Sequence, residues 1–114
     1  MPLNERLVQL LRIIHGKTKN GELVWEKTAN SSQFQVAFAK NSITIGGAAG
    51  ITPTLRIFNE EGNLLEEIGV LTTSGSEREL LTEVWELARR RALGVDQAID
   101  ELLAELKTFK SPTK

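Results

Sequence analysis

The stretch Ser76-Glu-Arg-Glu-Leu-Leu-Thr-Glu-Val-Trp-Glu-Leu-Ala-Arg-Arg-Arg-Ala-Leu-Gly94 decides the fold class, because it carries the marks of a complete amphipathic helix. Ser76 and Glu79 form a capping-box pattern, in which each side chain can bond the backbone amide of the other residue. The arginines at 89–91 suit the negative end of the helix dipole, and Gly94 can adopt the left-handed conformation that ends a helix. The apolar residues between these marks form one wide face. We therefore predict a helix that packs against both a sheet and a second helix.

Helices are also predicted at the two ends of the chain. Residues 2–15 carry leucine and isoleucine at helical spacing, and Gly16 is expected to end this first helix. Near the C-terminus we predict a last helix over residues 96–109, with Asp96 as its N-cap. The apolar stripe of this last helix comprises Ile99, Leu102, Leu103 and Leu106.

About five antiparallel strands are predicted between the first two helices, because apolar and polar residues alternate there with a period of two. The predicted strands cover residues 22–28, 33–39, 42–45, 54–58 and 63–71. A two-residue turn at Lys40-Asn41 and a flexible connection at Gly46–Gly50 are expected to join strands. Pro53 is expected at the start of a strand, where its missing N–H is harmless.

The alternation also assigns side chains to the two faces of the sheet. The residues expected to face the core include Phe34, Val36 and Phe38 in the second strand and Leu64, Ile68 and Val70 in the fifth. By contrast, Val24, Phe58 and Leu65 fall on the polar side of their strands. If those strands are neighbours, the three side chains form a modest apolar patch on the open face, where a partner can bind. A shift of register by one residue would place them inside instead.

The element order α-β-β-β-β-β-α-α, with short connections, predicts a two-layer α+β domain. One face of a five-stranded antiparallel sheet is then covered by the N-terminal helix and the C-terminal helix pair. A small half-open barrel wrapped on a helix is the alternative. The chain has 114 residues, enough for one domain, which we place over residues 1–110 with a frayed tail at 111–114.

The composition excludes several classes of function. The chain has no cysteine, so disulfides, zinc sites built on cysteine and thiol catalysis are absent. A formal net charge of −1 gives no general attraction to nucleic acid or anionic lipid. No apolar run approaches the ~20 residues that span a bilayer, and no secretory signal is evident, so we expect a cytoplasmic protein.

No catalytic, cofactor-binding or metal-binding residue is predicted. Gly46–Gly50 is glycine-rich, but phosphate and dinucleotide loops lead into a helix, and a strand is predicted to follow here. His15 is the only histidine, so a metal site would have to be built from carboxylates. Carboxylate pairs such as Glu60-Glu61 fall in a turn or on solvated faces. We therefore expect a protein that is not an enzyme and that uses no cofactor.

The run Arg89-Arg90-Arg91 is the densest basic segment. Consecutive helical residues fan out over about 200°, so the three side chains cannot all meet one ligand. Arg89 and Arg90 are expected on the wet face, with Arg90 paired to Glu86, and Arg91 nearer the core. An acidic surface on a partner is an alternative role for this run. Nucleic acid is a weaker one, because the chain has no tyrosine for base stacking.

Two resemblances accompany these patterns. The segment from Glu86 to Leu106 is similar to the C-terminal ends of small bacterial proteins. The helix–sheet–helix layout resembles that of small secretion chaperones in size and acidity. Those chaperones place a helix between their third and fourth strands, whereas this chain has Gly46–Gly50 there, so the resemblance concerns the fold alone.

The sequence favours a domain that binds protein, either as a homodimer or as an accessory subunit. The residues expected to bind a partner are Val24, Phe58, Leu65, Arg89 and Arg90. The alternative is a domain that binds a small molecule in the cleft between sheet and helices, near Trp25 and Trp85. Nucleic-acid binding through Arg89–Arg91 is the third hypothesis.

Overall fold

The computed structural model describes residues 5–48 and 50–109. The helices are α1 (Glu5–Lys19), α2 (Gly75–Ala92) and α3 (Val95–Thr108). The strands are β1 (Glu26–Lys27), β2 (Gln33–Ala37), β3 (Asn41–Ala48), β4 (Ile51–Asn59) and β5 (Leu64–Ile68). The first residues of the predicted N-terminal helix and the predicted tail at 111–114 lie outside the described residues.

The strands form one open antiparallel sheet in the order β1-β2-β3-β4-β5, with β1 and β5 at its edges. This confirms the predicted α+β class. α2 packs against β1, β2, β3 and β4 on one side and against α1 on the other, as its wide apolar face predicted. The core between these elements consists of Leu11, Ile14, Trp25, Phe34, Val36, Ile43, Ile45, Leu55, Ile68, Leu81, Val84, Trp85 and Ala88.

The N-terminus of α2 lies earlier than predicted. Ser74, not Ser76, precedes the helix, and its backbone N–H donates to the Glu77 carboxylate at 2.9 Å. The Ser-x-x-Glu spacing occurs twice in this segment, so the pattern alone does not choose between the two serines. The preceding turn selects Ser74 as the N-cap, because Thr73 is buried and its hydroxyl donates to the Gly69 carbonyl at 2.7 Å.

α1 continues past Gly16 to Lys19, so the prediction that Gly16 ends the helix was wrong. Gly21 closes it instead, with a φ of 81° and an N–H that donates to the Thr18 carbonyl at 3.1 Å. The last turn forms because Thr18 is fully buried and accepts a hydrogen bond from the Trp25 indole at 3.0 Å. This contact outweighs the ~1 kcal/mol that a glycine costs inside a helix.

The first strand is shorter than predicted. Only Glu26 and Lys27 pair with β2, and the predicted alternation holds only before them, from Leu23 to Trp25. Trp25 is buried, and Val24 is 73% exposed. This segment therefore contributes the Trp25 side chain to the core but only two residues to the sheet.

The turn between β2 and β3 is also displaced by one residue. The Phe38 N–H donates to the Asn41 carbonyl at 2.7 Å, so the turn residues are Ala39-Lys40 rather than Lys40-Asn41. Phe38 lies past the last paired residue of β2 and is 51% exposed. Its predicted place in the core was therefore wrong.

The glycine-rich segment is mostly strand, not a flexible connection as predicted. Residues 46–48 belong to β3, and Pro53 lies buried within β4 rather than at its start. A Cβ built on Gly47 would lie 3.1 Å from the Pro53 Cβ and 3.2 Å from its Cα. Glycine at 47 thus allows the two strands to approach closely at an irregularity in their pairing, and a larger residue would have to displace Pro53.

A bulge in β5 changes which side chains face the core. The pairs on either side of it are Phe58 with Leu64 and Ile57 with Glu66. Leu65 is the extra residue between them. Because paired residues share a face, Leu64 lies on the open face beside Phe58 and not in the core as predicted. Val70, also predicted inside, follows β5 in a turn and is exposed, whereas Ile68 is buried as predicted.

Candidate functional site

α3 leaves the body of the domain with its apolar side uncovered. Among the described elements it contacts only α2, and none of its residues is buried. We define the α3 stripe as five side chains that are 42–68% exposed, namely Ile99, Leu102, Leu103, Leu106 and Phe109. The predicted stripe exists, but it faces outward. α2 therefore covers the sheet as predicted, and α3 does not.

The spacing of the α3 stripe is that of a helix-pairing seam. Apolar residues at 95, 99, 102, 106 and 109 are separated by alternating steps of four and three. This is the a/d pattern of a coiled coil, with Ile99 at an a position and Leu102 at a d position. Such a narrow stripe suits contact with one more helix rather than burial against a sheet.

The junction between α2 and α3 fixes the direction of α3. Gly94, with a φ of 67°, follows the last turn of α2 and is the N-cap of α3, so Asp96 is not the cap that the sequence predicted. Asp96 instead accepts a hydrogen bond from the Arg90 guanidinium across this junction. The Ala98 N–H donates to the Gly94 carbonyl at 2.9 Å. Both helices are thereby tied to one short connection.

The dimensions of the molecule agree with a projecting helix. The radius of gyration is 17.2 Å and the longest dimension is 63 Å. A compact domain of about this length has a radius of gyration of about 13 Å. The excess is expected when a helix of 14 residues, about 21 Å long at 1.5 Å per residue, extends from the body.

A groove with an apolar floor runs along α1, and Glu66 of β5 borders it. It encloses about 430 Å³ between the outer side of α1 and the β5 edge. We define the α1 groove by its lining residues, Arg6, Leu7, Gln9, Leu10, Ile13 and Glu66. Leu7 and Leu10 pack partly on the core, while Ile13 is half exposed. The groove thus combines an apolar floor with a charged rim.

The structure separates the residues predicted to form an apolar patch. Val24 precedes β1 at one edge of the sheet, and Phe58 lies on β4, with β2 and β3 between them. Phe58 is half-buried and paired with Leu64, and Leu65 is exposed beside them. The patch therefore reduces to these three residues near the β5 edge.

The arginine run is engaged in contacts within the chain. Arg89 donates to the Glu86 carboxylate at 3.1 Å and lies 5.9 Å from the centre of the Trp85 ring. Glu86 therefore pairs with Arg89 rather than with Arg90 as predicted. Arg91 donates to the backbone carbonyls at 18 and 19 and so caps α1. These pairings explain the run without an external partner.

Other candidate chemistry finds little support in the geometry. Within residues 5–48 and 50–109, no three acidic or histidine side chains converge on a common metal position. His15 lies 2.7 Å from the Glu83 carboxylate, an ion pair between α1 and α2 when the histidine is protonated. Trp85 lines a cleft of about 220 Å³ between α2 and the β3–β4 hairpin. This volume is below the ~300 Å³ at which ligand pockets begin.

The exposed position of the α3 stripe was not predicted, because every apolar stripe was expected to be buried in the core. The signal that separates the two cases was present in the sequence. The apolar face of α2 is wide, whereas α3 has an alternation of three and four from Val95 to Phe109 with Leu103 beside it. The α1 groove had no comparable signal, since it depends on Glu66 meeting α1 across the fold.

Comparisons with protein-family models, with curated proteins and with solved structures found no match. Within the part of the chain that the structure describes, no helix has the length and apolar character needed to cross a membrane.

Proposed function

We propose that this protein is a non-catalytic protein-binding domain and that α3 is its binding element. The observation that carries the proposal is the α3 stripe, a row of five large apolar side chains on a helix with no buried residue. Burying one such side chain stabilises a complex by about 1.5–3 kcal/mol at full burial. A surface of this kind on a projecting helix marks a site of protein contact.

The second support for the proposal is that α3 is marginal by itself. An isolated helix shorter than ~12–15 residues is barely stable in water, and α3 has 14 residues. Its apolar stripe contributes nothing to the core of its own chain. The apolar side chains of the stripe therefore stabilise the protein only when another surface covers them.

A double substitution in the stripe tests the proposal. Leu102→Ser with Leu106→Ser removes the centre of the stripe, and Gln97→Ser with Ala104→Ser makes the same number of changes on the opposite side of α3. We expect the first variant to lose its bound protein, whether a second copy or another chain, as measured by sedimentation velocity and by quantitative capture. The control should bind as the parent does.

Thermal unfolding provides the accompanying check on the fold. Since no α3 residue is buried, both variants should unfold at the temperature of the parent when that is measured at a concentration where the parent is unbound. Binding and assembly that survive in the stripe variant would refute the role of α3.

A further inference from the structure

We infer that the protein bound by α3 is a second copy of this chain, and that α3 of each copy lies in the α1 groove of the other. This inference rests on the proposed function, because it names the partner of the same stripe. Four properties of the described residues support it: their charge, their length, the area they offer and the direction of α3.

The charges of α1 and α3 are complementary. α1 contains one acidic residue and four basic ones, which gives +3 with His15 neutral, and α3 contains four acidic residues and one basic one, which gives −3. Within residues 5–48 and 50–109, Arg6 and Arg12 of α1 make no ion pair, and neither do Asp100 and Glu105 of α3. These charges are therefore available to a partner.

The minority charges also match. Glu66 is the one carboxylate that lines the α1 groove, beside Arg6 of the basic helix α1, and Lys107 is the one cation of the acidic α3. An α3–α3 pair would instead bring two surfaces of charge −3 together, which is unfavourable for association. The basic helix α1, which forms most of the groove, is thus the better electrostatic partner for α3.

The apolar parts have similar lengths. The floor of the α1 groove runs from Leu7 to Ile13, about 9 Å at 1.5 Å per residue. The central part of the α3 stripe runs from Ile99 to Leu106, about 10 Å by the same rise. One helix laid along the other would bring these rows into contact over their whole length.

The area favours a reciprocal exchange over a single contact. Half the surface of a 14-residue helix about 10 Å wide is about 330 Å². One helix–helix contact therefore covers about 660 Å² in all, below the ~1,200 Å² of stable specific interfaces. Two equivalent contacts cover about 1,300 Å² and reach that range. A closed two-fold dimer supplies exactly two.

The direction of α3 favours a second copy over the same chain. Arg91 bonds the carbonyls at 18 and 19, so the α2–α3 junction lies beside the C-terminal end of α1, whereas the groove lies on the N-terminal part. To reach its own groove, α3 would have to reverse at Gly94. That reversal would break the Arg90–Asp96 pair and the α3 cap. An exchanged helix keeps both.

Charge reversal on each side tests the inference. One variant carries Arg6→Glu and Gln9→Glu, both in the lining of the groove, and the other carries Asp100→Lys and Glu105→Lys. All four positions are exposed. We expect each variant alone to dimerise at least about tenfold more weakly than the parent in sedimentation equilibrium, because like charges then face each other in both contacts. A matched control, Glu60→Lys with Glu61→Lys in the β4–β5 turn, should dimerise as the parent does.

An equimolar mixture of the two reversed variants gives the decisive result. Each α3 then meets a groove of opposite charge, so we expect the mixture to recover dimers with an affinity near that of the parent. Undiminished dimerisation of the Arg6→Glu, Gln9→Glu variant alone would overturn the groove as the receptor.

The outcomes separate this inference from the proposed function. A parent protein that stays monomeric at high concentration, yet captures another protein through Leu102 and Leu106, would overturn the second-copy inference and leave the role of α3 standing. A parent that dimerises independently of Leu102 and Leu106 would overturn both. Circular dichroism of every variant ensures that a loss of dimer is not a loss of fold.

Discussion

Arg90 donates a hydrogen bond to Asp96 across Gly94, and this contact joins the last turn of α2 to the first turn of α3. The pair is exposed on both sides, so it adds little to the stability of the domain. Its effect is directional, because it ties two helices that meet at a single left-handed residue. The exposure of the α3 stripe follows from that direction.

Removing this pair should loosen the direction of α3 without unfolding the domain. We expect Asp96→Ala to change the free energy of unfolding by at most about 1 kcal/mol and to broaden the distances between spin labels on Lys27→Cys and Lys107→Cys. The chain has no native cysteine, so both labels are specific. Glu61→Ala, which removes an exposed carboxylate in the β4–β5 turn, is the control. An unchanged distance distribution in Asp96→Ala would mean that Gly94 alone sets the angle.

Arg91 should stabilise the domain more than its neighbours do. Its guanidinium bonds the carbonyls at 18 and 19 at the end of α1, and only the carbonyl at 18 also accepts a backbone N–H, that of Gly21, among the described residues. We expect Arg91→Ala to cost about 1–2 kcal/mol in urea unfolding, as for the loss of hydrogen bonds to a charged group. Arg90→Ala should cost less than half as much. Equal costs would show that the cap on α1 contributes nothing.

Two threonines should respond in opposite ways to the same substitution. The Thr18 hydroxyl accepts the Trp25 indole N–H at 3.0 Å in the core, so Thr18→Val should leave a buried donor unpaired and cost about 1–3 kcal/mol. The Thr44 hydroxyl is buried without a hydrogen-bond partner among the described residues. Thr44→Val should therefore be neutral or stabilising in the same unfolding measurement. A larger loss at 44 than at 18 would contradict both assignments.

The close approach of β3 and β4 gives a third matched pair. Gly47→Ala places a Cβ about 3.1 Å from the Pro53 ring and backbone, neither of which can move easily, and should cost about 1–3 kcal/mol. At Gly46 the nearest atom is a flexible Gln33 side chain at 3.6 Å, so Gly46→Ala should change stability by less than about 0.5 kcal/mol. Equal effects of the two substitutions would show that the strands can separate at 47.

The α+β class could be predicted from sequence because its evidence is local and redundant. The helical face of α2, the alternation of β2 to β4 and the glycine at 94 each point to the same arrangement. The predictions that were wrong concerned features set by contacts between residues far apart in the sequence. The helix α1 continues past Gly16 because Thr18 bonds Trp25. Leu64 lies on the open face of the sheet because β5 is bulged opposite β4. Neither event leaves a mark within the segment itself.

The candidate site was predictable only in part. The apolar stripe of α3 was predicted correctly. Whether the stripe is buried depends on the direction of α3, which is set by Gly94 and by the ion pair between residues 90 and 96. The predicted patch failed to assemble around Val24 because strand order, which the sequence does not state, places it at the far edge.

Hydrogen exchange of the α3 amides, measured against protein concentration, tests the central claim most directly. A 14-residue helix without tertiary cover should exchange quickly. The account predicts that residues 95–108 are protected at high concentration, that the protection is lost on dilution, and that Leu102→Ser with Leu106→Ser abolishes it. Exchange of α3 that is equally fast at every concentration, in the presence of the cell extract as well as in its absence, would show that the stripe binds nothing and would contradict the account.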